Sequence, residues 1–307
     1  MGQTPRMISN EYIYSITQRA VDRTFLFLPN KEVKNIIGSS AARAMLNHPV
    51  NLFWLDYNIN HEHMGIGPVS DSPEDFTHMI RFIQTFHQMV AVSLNKIYTR
   101  EGAVYGAKSH HTPCLDDASA FNQLLYSITN PVKDNLVDKM SHWKGFSSYN
   151  YLAKGEIPKF TFIDIVAYNN RKNKKTPKTA FIKTIHLHFA PLPSLSNYSK
   201  GKQQSIIRKA VREKEQNFKD KRTSENKRVA GILKLNKLTH RDRPRTEPEK
   251  NKKPICHTSD IYLLNKFKQK LKIFIDAYLE SSKLYRNGHF HVQFPKGSLR
   301  PPLIESV

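Results

Sequence analysis

Two spacings in this chain suit chemistry on a phosphate: His61 and His63, two residues apart, and Tyr126 and Asn130, four apart. Side chains alternate along a β-strand, so both imidazoles would face one way, about 6 to 7 Å apart at the backbone, and could converge on one divalent cation. Two imidazoles leave such a site short of a donor. An i,i+4 pair shares one face of a helix, so Asn130 can offer its amide oxygen to the ion while Tyr126 presents its phenol to a phosphate held there. A phenol with a pKa of about 10 is a poor nucleophile. A cation that neutralises and orients the phosphate, with a base that takes the phenolic proton, answers both deficits. The product would be a covalent phosphotyrosine, which keeps the energy of the broken phosphodiester for a later joining step.

Each part also has a plain reading. His-x-His occurs three times, at His61/His63, His186/His188 and His289/His291. Tyr126 alone would serve as a packing aromatic, and Asn130 before Pro131 as a helix stop. His110, His111 and Cys114 form a second group, readable as an alternative metal cluster or as loop histidines touching DNA. Lys108, Arg19 and Arg23 are further candidates for phosphate contact. The first histidine pair stands apart because it alone is followed by a long helix and then by a capped helix carrying Tyr and Asn at i,i+4.

The 307 residues carry 48 Lys plus Arg against 26 Asp plus Glu, a formal net charge of +22. Such an excess draws polyanions by steering and counterion release; DNA or RNA fits it better than an acidic small substrate, with an anionic membrane surface as the lesser alternative. Cys114 and Cys256 lie far apart, without the spacing of a disulfide scaffold, which favours a reducing compartment. The first residues lack an apolar run of signal-peptide length, the apolar segments are too short to span a bilayer, and the sixth position lacks the Ser or Thr of a myristoylation signal. The expectation is a cytoplasmic, nucleoid-associated protein with no membrane partner.

The elements that must position the site can be read in order. Tyr12 to Thr17 alternates as a strand, with Gln18 to Arg23 as a loop. Asn30 can cap a helix over 31–46. Leu52 to Tyr57 and His61 to Ile66 read as strands. Ser72 can cap a long helix with Pro73 and the acids Glu74 and Asp75 in its first turn. A short extended piece over 103–108 and a polar loop lead to Asp116-Asp117, which can cap a helix over 118–129 closed by Asn130-Pro131. This predicts an α+β fold, an antiparallel sheet covered on one face by helices, with the other face open for a partner.

Those residues, in that order, resemble the single-tyrosine HUH transposases, specifically the REP-associated tyrosine transposases. The matching text is YIYSITQRAVDR with FLFLP, then NHEHMGI, LLYSITNPVKDNLV and WKGFSSYNYL. The resemblance covers residues 8–155, the expected catalytic domain. It implies a ferredoxin-like or RRM-like sheet, His61, His63 and Asn130 as ligands of a divalent metal (Mg²⁺ or Mn²⁺ in turnover), and Tyr126 as the nucleophile. It further implies a DNA-nicking and rejoining enzyme that forms a 5′-phosphotyrosine on single-stranded or hairpin DNA. Relatives act as monomers or as homodimers, and the sequence leaves that choice open. A catalytically inactive protein that keeps the fold and binds structured DNA or RNA is the alternative.

Two positions depart from the family pattern: Glu62 stands where a bulky apolar residue is usual, and Ile59 where a Pro is common. On an alternating strand Glu62 would point away from the metal, where it must reach solvent or ion-pair. Ser147-Ser148-Tyr149 matches a motif after the tyrosine and is given a structural or hairpin-contacting role; Trp143 reads as core. Residues 156–307 form a basic extension. Residues 160–190 read as strands or short helices, 200–229 as a charged helix, 239–255 as a Pro, Arg and Lys-rich segment, and 258–284 as a helix. RPRTEPE and FPKG have counterparts in longer family members.

Overall fold

Residues 5–244 and 254–301 are described by the structure, a computed structural model. In chain order come β1 (Ile13–Arg19), α1 (Lys31–Asn47), β2 (Asn51–Tyr57), β3 (His61–Gly67), α2 (Pro73–Ile97), β4 (His110–Cys114) and α3 (Asp117–Lys133). The four strands make one open antiparallel sheet in the order β2-β3-β1-β4. This is an α+β fold with helices flanking the sheet. Asn30, Ser72 and Asp116 each cap their helix, accepting from the amides of Val33, Asp75 and Ser119 at 2.9, 3.0 and 2.6 Å.

Alternation sorts the strand side chains between two cores. Tyr14, Ile16, Leu55, Met64 and Ile66 join Ile37 and Ala41 of α1 and Phe82 and Phe86 of α2. Ile13, Phe53 and Trp54 join Leu124, Leu125, Ile128 and Val132 of α3. Phe53 and Trp54 share a core although adjacent because the β2–β3 register shifts between Leu52 and Trp54, a local bulge. Opposite Trp54 stands Gly65, where a Cβ would come within 2.2 Å of the indole. The indole therefore occupies the place of a side chain on β3.

Three expectations are corrected. Helices cover both faces of the sheet: α1 and α2 lie on one, and the apolar stripe of α3 needs the other. The fourth strand is His110–Cys114, whereas the segment expected to be extended, 103–108, is irregular apart from a bridge at Tyr105. β4 is an edge strand, where polar residues and Pro113 are tolerated, so it lacks the apolar alternation of an inner strand. Finally, α3 does not stop at Asn130-Pro131 but runs to Lys133, its last turn held by side-chain bonds from Asn58 to Asn130 and Asp134.

The remaining chain wraps over this framework. After α4 (Tyr149–Lys154), β5 (Lys159–Ile163) and β6 (Ile182–His186) form a two-stranded antiparallel sheet, with α5 (Ile165–Asn169) between them in sequence. The Phe160 ring covers Gly38 of α1, where a Cβ would meet it at 2.2 Å. α6 (Lys200–Ser224) packs on α3 and α4, burying Ile207, Val211 and Arg222, and Arg222 pairs with Asp138 at 2.8 Å. α7 (Gly231–Leu235) buries Leu235 in the core beneath α3. α8 (Ile261–Arg286) sets Phe267 against Tyr12, ring centres 5.8 Å apart, and Lys270 against Glu11 at 2.8 Å. Residues 245–253 of the expected Pro, Arg and Lys-rich segment, with most of RPRTEPE, lie outside the described residues. Among the described residues no helix is long and apolar enough to cross a membrane.

Candidate active site

β3 carries His61 and His63 on the face covered by α3, and the helix brings Tyr126 and Asn130 to them. The two imidazoles stand 5.0 Å apart, nearly perpendicular, and the Tyr126 ring lies 5.2 Å from that of His63. Asn130 sits between the histidines, its Oδ1 3.2 Å from His61 Nε2 and its Nδ2 3.4 Å from His63 Nε2. His63 and Asn130 are buried, whereas Tyr126 is 38% exposed. With His61 partly exposed, the phenol is the most exposed of the four side chains. Its hydroxyl accepts from Lys133 Nζ at 3.2 Å, and the same ammonium lies 4.5 Å above its ring.

Several residues that hold this arrangement carry no motif. Asn58, buried at the end of β2, donates both amide hydrogens, one to Asn130 Oδ1 and one to Asp134 Oδ2, each at 2.7 Å. The first bond fixes Asn130 Oδ1 as an acceptor turned toward His61. His61 Nδ1 meets Asn60 Oδ1 at 2.7 Å and His63 Nδ1 meets Thr17 Oγ1 at 3.1 Å. Asn58, Lys133 and Asp134 went unrecognised in the sequence, although Lys133 and Asp134 extend the 126, 130 series at helical spacing.

Burial holds both imidazoles neutral. The His61 pKa is pushed down to about 4, first by desolvation and then by the charge of Arg19, while Asn130 works against the shift. His63 is driven well below its usual value by desolvation and by His61, Lys133 and Arg19. A neutral His61 that gives its Nδ1 hydrogen to Asn60 has a bare lone pair on Nε2, 3.2 Å from the carbonyl oxygen of Asn130. Two lone-pair atoms facing each other repel unless a cation lies between them. That donor set, two imidazole nitrogens and an amide oxygen with their outer partners in place, fits a divalent metal. Among the described residues no group of three His, Cys, Asp or Glu side chains could hold a metal.

The depressed values fix the sign of a pH effect. The unfolded histidines take up protons from about pH 6.5, while folded His61 does so only near pH 4. Their contribution to stability is therefore complete above about pH 6.5 and is lost as the pH falls toward 4. Denaturant midpoints of metal-free protein should fall across that window, and His61→Gln should flatten the fall; an unchanged slope would mean that His61 is not held neutral.

Glu62 faces the opposite way. It is fully buried under α2, accepting from Tyr57 Oη and contacting His87 Nε2, with Tyr105 Oη 3.1 Å from Tyr57 Oη. The departure from an apolar residue is answered by polar partners on the far side of the sheet. Glu62→Ala would strand His87 and Tyr57 and is expected to lower the unfolding free energy by about 1 to 3 kcal/mol for each donor left unsatisfied, with Glu62→Gln losing much less. Chemical denaturation measures this, and equal losses for the two variants would show that the carboxylate charge, which glutamine lacks, holds the cluster rather than its shape and acceptor oxygens.

Arg19 pairs across the sheet with His61 and is exposed. Arg23 sits in the turn after β1 with φ +60°, its carbonyl accepting from Asn60. His110 and His111 alternate on β4: His110 meets Thr112 Oγ1 at 2.8 Å, while His111 turns to Arg6 at 3.1 Å and lines, with Lys108, His87 and Tyr105, a cleft on the α2 side. They do not converge with Cys114. Trp143 is core, as expected, and His186, His188, His289 and His291 are exposed.

No protein-family model matches the chain, and no curated protein matches it. A solved structure of a REP-associated tyrosine transposase bound to a REP hairpin aligns with it at a TM-score of 0.38 and 15% identity, over 52% of this chain and 89% of that one. This is a distant structural similarity.

Proposed function

We propose that this chain is a metal-dependent endonuclease and strand transferase for single-stranded or hairpin DNA, acting through a covalent 5′-phosphotyrosine on Tyr126. The observation that carries the reading is the convergence of one half-exposed phenol with two neutral imidazoles and a buried amide oxygen, drawn from two separate elements. The β-α-β-β-α-β order with the sheet order β2-β3-β1-β4 supports the ferredoxin-like assignment, and the net charge of +22 supports a polyanionic substrate. Residues 8–155 are the catalytic unit in this reading, and the later basic elements add DNA contacts.

His61, His63 and Asn130 would hold the cation, Mg²⁺ or Mn²⁺. When bound it would neutralise the phosphate and polarise a non-bridging oxygen. Tyr126 Oη attacks phosphorus, the bond from phosphorus to the 3′ oxygen breaks, and that oxygen leaves as a 3′-hydroxyl after taking up a proton. Lys133, already on the phenolic oxygen, stabilises the phenolate as its proton passes to solvent water, and water returns a proton to the leaving 3′ oxygen. Attack by a 3′-hydroxyl on the phosphotyrosine reverses these steps and joins strands.

The test is a denaturing-gel assay of the protein with 5′- or 3′-labelled single-stranded and hairpin DNA, with Mn²⁺ and with chelator. A metal-dependent adduct on the strand downstream of the nick is expected. Salt-sensitive binding without an adduct on the whole panel would overturn the reading in favour of a binding-only protein.

A further inference from the structure

A second polar cluster lies one residue along α3 from the phenol. Asp56, buried on β2, accepts from Ser127 Oγ and Ser147 Oγ, each at 2.6 Å, from the Ser148 amide at 2.9 Å and from Ser148 Oγ at 3.1 Å. Ser127, Ser147 and Ser148 are themselves buried. Asp56 pairs across the sheet with His63. One carboxylate therefore joins the strand beside the histidines, the residue next to Tyr126, and the loop leading into α4.

We infer that Asp56 is the positioning residue for Tyr126, fixing the rotation and axial position of α3 so that the phenol stands over His63. This rests on the function proposed above. Apart from a longer bond from Ser15 Oγ to Gln123 Oε1 at 3.4 Å and the contacts of Asn130 with the histidines, the α3 interface with the sheet is apolar, Leu124, Leu125, Ile128 and Val132 lying against Ile13, Phe53 and Trp54. Apolar contact is non-directional, so it holds the helix down without setting its rotation. A helix with its side chains is about 10 to 12 Å across, and a turn of roughly 20° about its axis would carry a side-chain tip by about 2 Å. A displacement of about 1 Å can cost on the order of 10²-fold in rate. Hydrogen bonds to Ser127 at one point and from Asn58 to Asn130 and Asp134 at another remove that freedom. Desolvation raises the Asp56 pKa and the four donors oppose it. Asp56 acts through Ser127 and the chain, touching neither phosphate nor phenol.

The experiment uses the full chain and single-turnover adduct formation on single-stranded DNA with saturating Mn²⁺, read as a maximal rate and, separately, a DNA dissociation constant. Ser127→Ala removes one hydroxyl and should fold; its maximal rate is expected to fall about tenfold or more, with the dissociation constant unchanged. Asp56→Ala should lose about 10²-fold in maximal rate, and Asp56→Asn, which can still accept from Ser127, should recover most of it. A structural role alone would lower stability in these variants without splitting rate from affinity and without rescue by Asn. Wild-type rates in both Ser127→Ala and Asp56→Asn, with Asp56→Ala changed only in stability, would overturn the positioning role and leave the proposed function standing. Absence of any adduct from wild-type protein would overturn both.

Discussion

Tyr126→Phe should abolish the covalent complex with DNA while leaving DNA binding and folding intact. The substitution removes one oxygen from a ring that is already 38% exposed, and the hydroxyl's partner is an exposed lysine on the same helix. Loss of such a surface contact changes stability by about 0.5 kcal/mol or less. The ring itself, edge-on to His63, stays in place. The chemistry, by contrast, has no substitute: no covalent bond to phosphorus forms without the phenolic oxygen. Three mechanisms separate on this one variant. A tyrosine transferase loses all adduct and all nicking. A hydrolase that activates water on the same histidines would still nick in Tyr126→Phe and would never have formed an adduct. A binding-only protein would show the same salt-dependent affinity in both forms.

The sequence made the first half of this fold legible because the signals there are local. Caps at Asn30, Ser72 and Asp116 and alternation in β1 to β3 depend on neighbours within a few residues, and each cap formed at its expected residue, although β1 runs on through Gln18 and Arg19, which were expected to be loop. β4 was hidden because an edge strand built of His, Thr and Pro has no apolar period to read. The place of α3 was hidden for a different reason. Its apolar stripe says that it must be covered, not by which face, and the Phe53-Trp54 bulge that gives the second face its core is a register shift invisible along one strand. The chemistry-bearing types His61, His63, Tyr126 and Asn130 could be named from spacing. Asn58 and Asp56 could not, since their importance arises only where β2 meets α3.

His61→Gln and His63→Gln should each reduce metal-dependent adduct formation by about 10³-fold, while Asn58→Leu should reduce it by roughly 10- to 100-fold. The grading follows from the geometry. His61 Nε2 faces Asn130 Oδ1 at 3.2 Å and His63 Nε2 faces Asn130 Nδ2 at 3.4 Å, and glutamine at either position fills the space but is a far weaker ligand. A cation that polarises a phosphoryl oxygen supplies several kcal/mol in the transition state, and each ~1.4 kcal/mol is tenfold in rate, so losing the ion costs about three decades. Asn58 donates no atom to the ion. It holds the Asn130 carbonyl toward His61 and ties that residue to Asp134, and outer partners of this kind are typically worth about 10- to 100-fold. Raising Mn²⁺ should therefore restore Asn58→Leu more fully than either histidine variant, because a misoriented donor weakens affinity whereas a missing one removes the site. Metal titrations of the adduct rate measure the difference. Chelator-resistant adduct formation, or equal rescue of all three variants, would show that these residues do not hold the ion the reaction uses.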